Sequence, residues 1–132
     1  MIHSSQLLRR ALLADAAFSG VSAIAMVLDA GALASLLGLP EALLRETGLF
    51  LIAYTALVGF LGARSSLPKG PVILVVAGNA AWTLASIALL LSGAVSPNLL
   101  GTIVILAQAI ATGVFAELQY VGLRKSEGMV TA

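Results

Sequence analysis

Charged residues and turn-forming residues divide the chain into long apolar stretches. Residues 70–116 contain no charged residue. As a single helix they would be about 70 Å long, more than twice the ~30 Å hydrocarbon core of a bilayer, so they must form two segments. The break falls just before Pro97, because proline suits the first turn of a new helix. The pattern therefore predicts helices near 71–93 and 98–121.

The first half of the chain divides in the same way. One stretch opens at Pro40, stays apolar from Thr47 to Ala63 and closes at Arg64. Another follows Arg10, and as a single helix to Leu39 it would be about 45 Å long, too long for an ordinary bilayer. We therefore predict a break at Asp29. The predicted segments are a helix near 8–28, a short helix near 32–38 and a helix near 42–63.

Four apolar segments of this length predict an all-α integral membrane protein. Backbone polar groups have no partner in lipid, so the spans must be helices, and short connections make consecutive helices antiparallel. We expect one domain over residues 1–132, an antiparallel four-transmembrane-helix bundle whose short helix lies in the interface or re-enters. A signal peptide over residues 1–34 is the competing interpretation. The apolar run continues past Ala34 and Asp15 interrupts it, which favours a span.

The basic residues predict the orientation. With four spans, six of the seven basic residues fall on one side of the membrane, and Arg45 is the exception. Cytoplasmic loops carry the excess of Lys and Arg, so we expect both termini in the cytoplasm of a bacterial inner membrane. The six residues are Arg9, Arg10, Arg64, Lys69, Arg124 and Lys125.

Composition supports this environment and excludes several kinds of chemistry. The chain is 60% apolar and only 10% charged, with a mean hydropathy of +1.07, whereas a soluble domain carries about 25% charged residues. It contains no cysteine, and its one histidine, His3, precedes the first span. We therefore expect no metal, no cofactor and, at a net charge of +1, no nucleic-acid partner. The expected partners are membrane lipids and a second copy or another membrane protein.

Small residues recur at helical spacing and predict helix contacts, because helices in lipid pack through small side chains. Each of the second, third and fourth spans carries such a set. The sets are Gly48, Thr55, Gly59 and Gly62; Ala77, Ala81, Ala85 and Ala88; and Ala109 with Gly113.

Polar residues also form stripes, one on each of three spans. Polar groups inside a membrane usually face the bundle interior. Asn79, Gln108 and Tyr54 are expected near mid-membrane, with Trp82 one turn from Asn79. They either bind a small amide- or hydroxyl-bearing ligand or hydrogen-bond the helices together. The stripes are Asp15, Ser19, Ser22, Met26 and Asp29; Asn79, Thr83 and Ser86; and Gln108 and Thr112, with Gln119 almost in line.

Three acidic residues have specific expectations. Asp15 and Glu117 are expected at similar depth near the cytoplasmic side. There they either form a proton or cation relay or pair with nearby arginines. Asp29 is expected to cap the short helix.

Two stretches carry a resemblance to known proteins: GNAAWTLAS at 78–86 and AELQYVGLR at 116–124. They resemble small, uncharacterised bacterial inner-membrane proteins of four helices. The resemblance implies four spans and no particular activity.

Three alternative functions are compatible with these residues. The first is a non-enzymatic accessory or lipid- or small-ligand-binding helix bundle. The second is a proton- or cation-coupled transporter of a small solute, working as a homodimer through Asp15 and Glu117. The third is an enzyme acting on a lipid substrate, with the same two acids as general acid and base.

Overall fold

The described part of the chain consists of helices and their connecting loops, with two strands of two residues each. The computed structural model describes the backbone of residues 1–131 and the side chains of residues 1–127. Four of the helices are long and apolar enough to cross a membrane, which confirms the predicted number of segments. The elements are β1 (Ile2–His3), α1 (Gln6–Leu28), α2 (Ala30–Leu37), α3 (Glu41–Ala63), β2 (Ser66–Leu67), α4 (Lys69–Ser92) and α5 (Leu99–Thr131).

The short helix α2 confirms the predicted break after the first span. α1 ends at Leu28, and α2 begins at Ala30, two residues before the predicted start. Asp29 occupies the N-cap position of α2, but its side chain makes no capping hydrogen bond. The predicted cap is therefore wrong. Capping residues usually adopt an extended backbone, whereas Asp29 has φ −121° and ψ 31°.

Helix α5 is longer than predicted, continuing to Thr131 where the sequence predicts an end near residue 121. The prediction placed the helix end at the end of the apolar stretch. A change from apolar to polar side chains does not by itself end a helix. The added turns are held by other parts of the chain. Ser126 Oγ accepts a hydrogen bond from the Ser5 backbone N–H at 2.8 Å, and Glu127 forms an ion pair with Lys69.

The small residues of α3 and α5 pack as predicted. A Cβ added to Gly48 would lie 2.8 Å from Met26 Cβ, and one added to Gly62 would lie 2.9 Å from Leu13 Cδ2. Small residues on α3 therefore let α1 approach closely. On α5, Ala109 is buried.

The alanine stripe of α4 does not pack within the chain, so this prediction is wrong. All four alanines are exposed. Instead, α4 buries Val72, Val75, Asn79 and Ser86. The reason is that α4 has one inward face, and its polar stripe must occupy that face to find hydrogen-bond partners.

The six basic residues collect at one end of the molecule, which we call the basic end. There β1 pairs antiparallel with β2, bringing the start of the chain to the loop between α3 and α4. An apolar cluster fills this end. Its buried members are Ile2, Leu8, Leu12, Val58, Leu61, Leu67, Val72, Val75 and Leu123.

The opposite end carries α2 and Arg45, and we call it the α2 end. Asn98 joins α2 to α5, because its Nδ2 donates to the Leu36 carbonyl at 2.8 Å and its backbone N–H donates to the Leu37 carbonyl at 3.1 Å. Its Oδ1 also accepts from the Gly101 N–H and so caps α5. A second apolar cluster surrounds this contact, with Leu37, Leu44 and Ile105 among its buried members.

Candidate functional site

The three polar stripes face one another inside the molecule. Asp15, Asn79 and Gln119 are buried, and Gln108 is half-buried. The stripe on α1 departs from this pattern only at its end, where Asp29 is exposed. The predicted inward orientation is therefore confirmed for the parts of the stripes inside the helices.

The Asp15 carboxylate lies at the centre of a hydrogen-bonded cluster that draws on all four long helices. Ser19 of α1 donates to Oδ1 at 3.0 Å. Tyr54 OH of α3 donates to Oδ2 at 2.6 Å. Asn79 of α4 and Gln119 of α5 each donate an amide N–H to Oδ2 at 2.8 Å. One side chain thus connects the four helices.

The cluster suits an ionised carboxylate. All four neighbours are donors, and a carboxylate is a pure acceptor. Asp15 is 1% exposed, and neither ion pair among the described side chains includes it. The sequence-based alternative of a pair with a nearby arginine is not realised. The described side chains that hydrogen-bond to the carboxylate are all neutral donors.

A second polar cluster lies toward the α2 end. Trp82 Nε1 of α4 donates to Gln108 Oε1 of α5 at 2.8 Å. Gln108 Nε2 donates to Ser86 Oγ and to the Ile105 carbonyl, each at 2.9 Å. Every polar atom of the Gln108 side chain is therefore occupied within the protein.

A cavity of about 680 Å³ lies between these clusters and the α2 end. Its polar end is formed by Ser19, Tyr54 and Asn79, the side chains that surround Asp15. The rest of the wall is largely apolar. Along α4 the cavity reaches from Gly78 to Leu89, about 17 Å of helix. A volume of this size matches that of small-molecule pockets.

One side of the cavity is bordered by an aromatic pair. Phe50 of α3 stacks on Trp82 of α4, with ring centroids 6.0 Å apart and planes inclined by 2°. Helix α1 packs closely on α3 and α5, and α4 packs on α5, whereas α3 and α4 make few close contacts. The two rings therefore bridge the least closely packed side of the molecule.

The predicted site residues are only partly brought together. Asp15, Tyr54 and Asn79 form one cluster, and Trp82 and Gln108 form the other. Glu117 joins neither. It lies on an exposed face of α5, and no hydrogen bond or ion pair of the described side chains connects it to Asp15. The relay between Asp15 and Glu117 therefore lacks the contact it requires.

The sequence placed Gln119 in a polar stripe without naming it as a site candidate, and it did not single out Phe50 at all. Gln119 lies 11 residues after Gln108, about three helical turns, and this spacing was the available signal for a shared face. Nothing in the sequence distinguished Phe50, because aromatic residues are common in apolar spans. Its position depends on how α3 packs beside α4.

The described residues contain no group of three His, Cys, Asp or Glu side chains that could hold a metal ion. Protein-family models, curated proteins and solved structures give no match to this chain. The resemblance to small four-helix inner-membrane proteins stays a prediction. Fold and site together define an all-helical chain with four potential membrane spans and a partly open cavity between them.

Proposed function

We propose that this chain is an integral membrane protein with four antiparallel spans. Its function is to bind a small, mostly apolar ligand in the cavity beside Asp15, without chemical conversion. The observation that carries this proposal is a largely apolar, partly open cavity with one polar end, bordered by four apolar helices. Ligand sites typically combine such walls with a few polar groups that fix orientation.

Membrane insertion is supported by the outer surface. Large apolar side chains are exposed on every long helix, among them Val21, Phe60, Leu84 and Ile110. In water such a surface would drive aggregation, so membrane lipids are the partners that fit it. The contacts of α1 with α3 support antiparallel packing, because they run in opposite order along the two helices.

The basic end supports an orientation with both termini in the cytoplasm of a bacterial inner membrane. Cytoplasmic segments of membrane proteins carry the excess of Lys and Arg. The cavity then lies away from the basic end, which the apolar cluster around Leu12 and Leu61 fills. This filling supports binding rather than passage through the chain.

A non-enzymatic role is supported by the position of the acids. A general acid or base must reach the reacting group within hydrogen-bond distance. Asp15 does not line the cavity, because Ser19, Tyr54 and Asn79 stand between it and the cavity space. Glu117 lies on the outer face. Neither acid is therefore placed to act as a general acid or base on a ligand in the cavity.

We expect Ala85→Phe to abolish ligand binding, because Ala85 lines the cavity and a phenyl ring would occupy the space of the ligand. Native mass spectrometry of gently extracted protein measures the bound passenger directly. We expect one ligand per chain in the unsubstituted protein and none in Ala85→Phe.

Ala88→Phe is the matched control. Ala88 lies one turn further along α4, is exposed and does not line the cavity, so this variant should keep its passenger. Equal occupancy in the unsubstituted protein and in both variants would show that the ligand lies elsewhere. A complete absence of any stoichiometric passenger would count against the binding function.

A further inference from the structure

The polar wall of the cavity offers hydrogen-bond acceptors and almost no donors. Ser19 and Tyr54 donate their hydroxyl protons to Asp15, so neither hydroxyl keeps a proton to donate to a ligand. Asn79 uses its amide nitrogen to donate to Asp15 and to Gln119 Oε1, and it also contacts the Tyr54 hydroxyl. Its Oδ1 accepts no hydrogen bond from the described residues and is left for a ligand.

The same polarity holds further along the wall. Ser22 donates to the Phe18 carbonyl, and Ser86 donates to the Trp82 carbonyl. The Trp82 N–H and both Gln108 N–H groups are also used inside the protein. Among the described side chains of the wall, Thr47 is the exception, and it lies two turns from Tyr54 toward the α2 end.

Charge adds to this polarity. Asp15 lies directly behind the three acceptors and has no ion-pair partner among the described residues. A negative charge in a medium of low dielectric acts strongly over a few ångströms.

From this pattern we infer that the ligand is a cationic amphiphile: an apolar body with a protonated amine that donates hydrogen bonds to Ser19, Tyr54 and Asn79. This inference rests on the proposed binding function and names its ligand class. An anionic or purely accepting head group would face lone pairs and a carboxylate with no donor to meet it.

The test compares three ligands that share one apolar chain and differ in the head group: decylammonium, decanol and decanoate. Binding is followed by the fluorescence of Trp82, which is the single tryptophan of the chain and lines the cavity. The full chain is held in nanodiscs of zwitterionic lipid, and empty nanodiscs correct for partitioning into lipid. We expect decylammonium to bind at least about tenfold more tightly than decanol, with decanoate weakest.

Two variants test the source of this preference. Asp15→Asn should bring decylammonium and decanol to within about twofold of each other, because the charge behind the acceptors is gone. Asp29→Asn removes an acid that is exposed and outside the cavity wall, so it should keep the full preference. The comparison of head groups uses only the unsubstituted protein. It therefore tests the preference for a cationic ligand even if Asp15→Asn fails to fold.

The outcomes separate the two proposals. Saturable binding in which decanol or decanoate equals decylammonium overturns the cationic ligand and leaves the binding function intact. If no member of the series gives a saturable change of Trp82 fluorescence, the cationic ligand is overturned. The passenger measured by native mass spectrometry then decides the binding function separately.

Discussion

Asp15→Ala should lower the free energy of unfolding by about 2–4 kcal/mol. The substitution removes the acceptor of hydrogen bonds from Tyr54, Asn79 and Gln119, which belong to three different helices. Each bond between membrane helices contributes about 0.6 kcal/mol on average and up to about 1.7, and buried donors left without an acceptor add a further penalty. Equilibrium unfolding in mixed micelles of increasing SDS content, followed by circular dichroism, measures the change.

Two opposing effects decide the sign of this result. Removing a buried charge relieves its desolvation, which favours the alanine variant. The lost bonds should outweigh this relief, because Asn79 and Gln119 are buried and would each keep an amide N–H without its acceptor. Asp29→Ala is the matched control, since Asp29 is exposed and makes no capping bond, and its effect should stay within about 0.5 kcal/mol. An Asp15→Ala protein as stable as the unsubstituted one would contradict the structural role of the cluster.

Gly122→Ala should destabilise the protein by about 1–3 kcal/mol. A Cβ at this position would lie 2.6 Å from the backbone nitrogen of Leu8 and 2.7 Å from its Cα. Backbone atoms cannot rotate away as a side chain can, so α1 and α5 would have to separate. The separation would also strain the 2.8 Å hydrogen bond from Ser5 Oγ to the Gly122 carbonyl. Thermal unfolding in detergent gives the size of the effect.

Gly78→Ala is the matched control and should have the opposite sign. Gly78 lies inside α4, and no atom lies within 4 Å of an added Cβ. Alanine favours a helix interior over glycine by about 1 kcal/mol, so this variant should be neutral or slightly more stable. A similar loss of stability in both variants would mean that the approach of α1 to α5 at Gly122 is not tight.

The sequence predicts much of this fold because the length and polarity limits of a membrane span restrict the alternatives. Lengths of apolar stretches predict the four long helices, and the break at Asp29 follows from the length limit. The polar stripes predict which faces turn inward, because a polar group in lipid needs a partner. Asp15, Tyr54 and Asn79 were therefore recognisable as candidates before their contact was known.

The remaining features depend on packing, which the periodicity does not encode. Small residues indicate where helices can approach, but α4 has one inward face, and its polar residues occupy it in place of the alanines. The pairing of β1 with β2 and the stacking of Phe50 on Trp82 join segments that are distant in the chain. Similar depth also did not bring Glu117 to Asp15, because depth does not fix which way a side chain faces.

The central claim is that the chain crosses the bilayer four times with its basic end in the cytoplasm. The absence of cysteine allows a direct test by single-cysteine labelling without background. Ser96 lies in the loop between α4 and α5, and Ser65 lies in the loop between α3 and α4; both are exposed. A membrane-impermeant maleimide added to intact spheroplasts should label Ser96→Cys and should label Ser65→Cys only after the membrane is opened. Labelling of Ser65→Cys in intact spheroplasts, or recovery of the protein as a monodisperse species without lipid or detergent, would contradict the account.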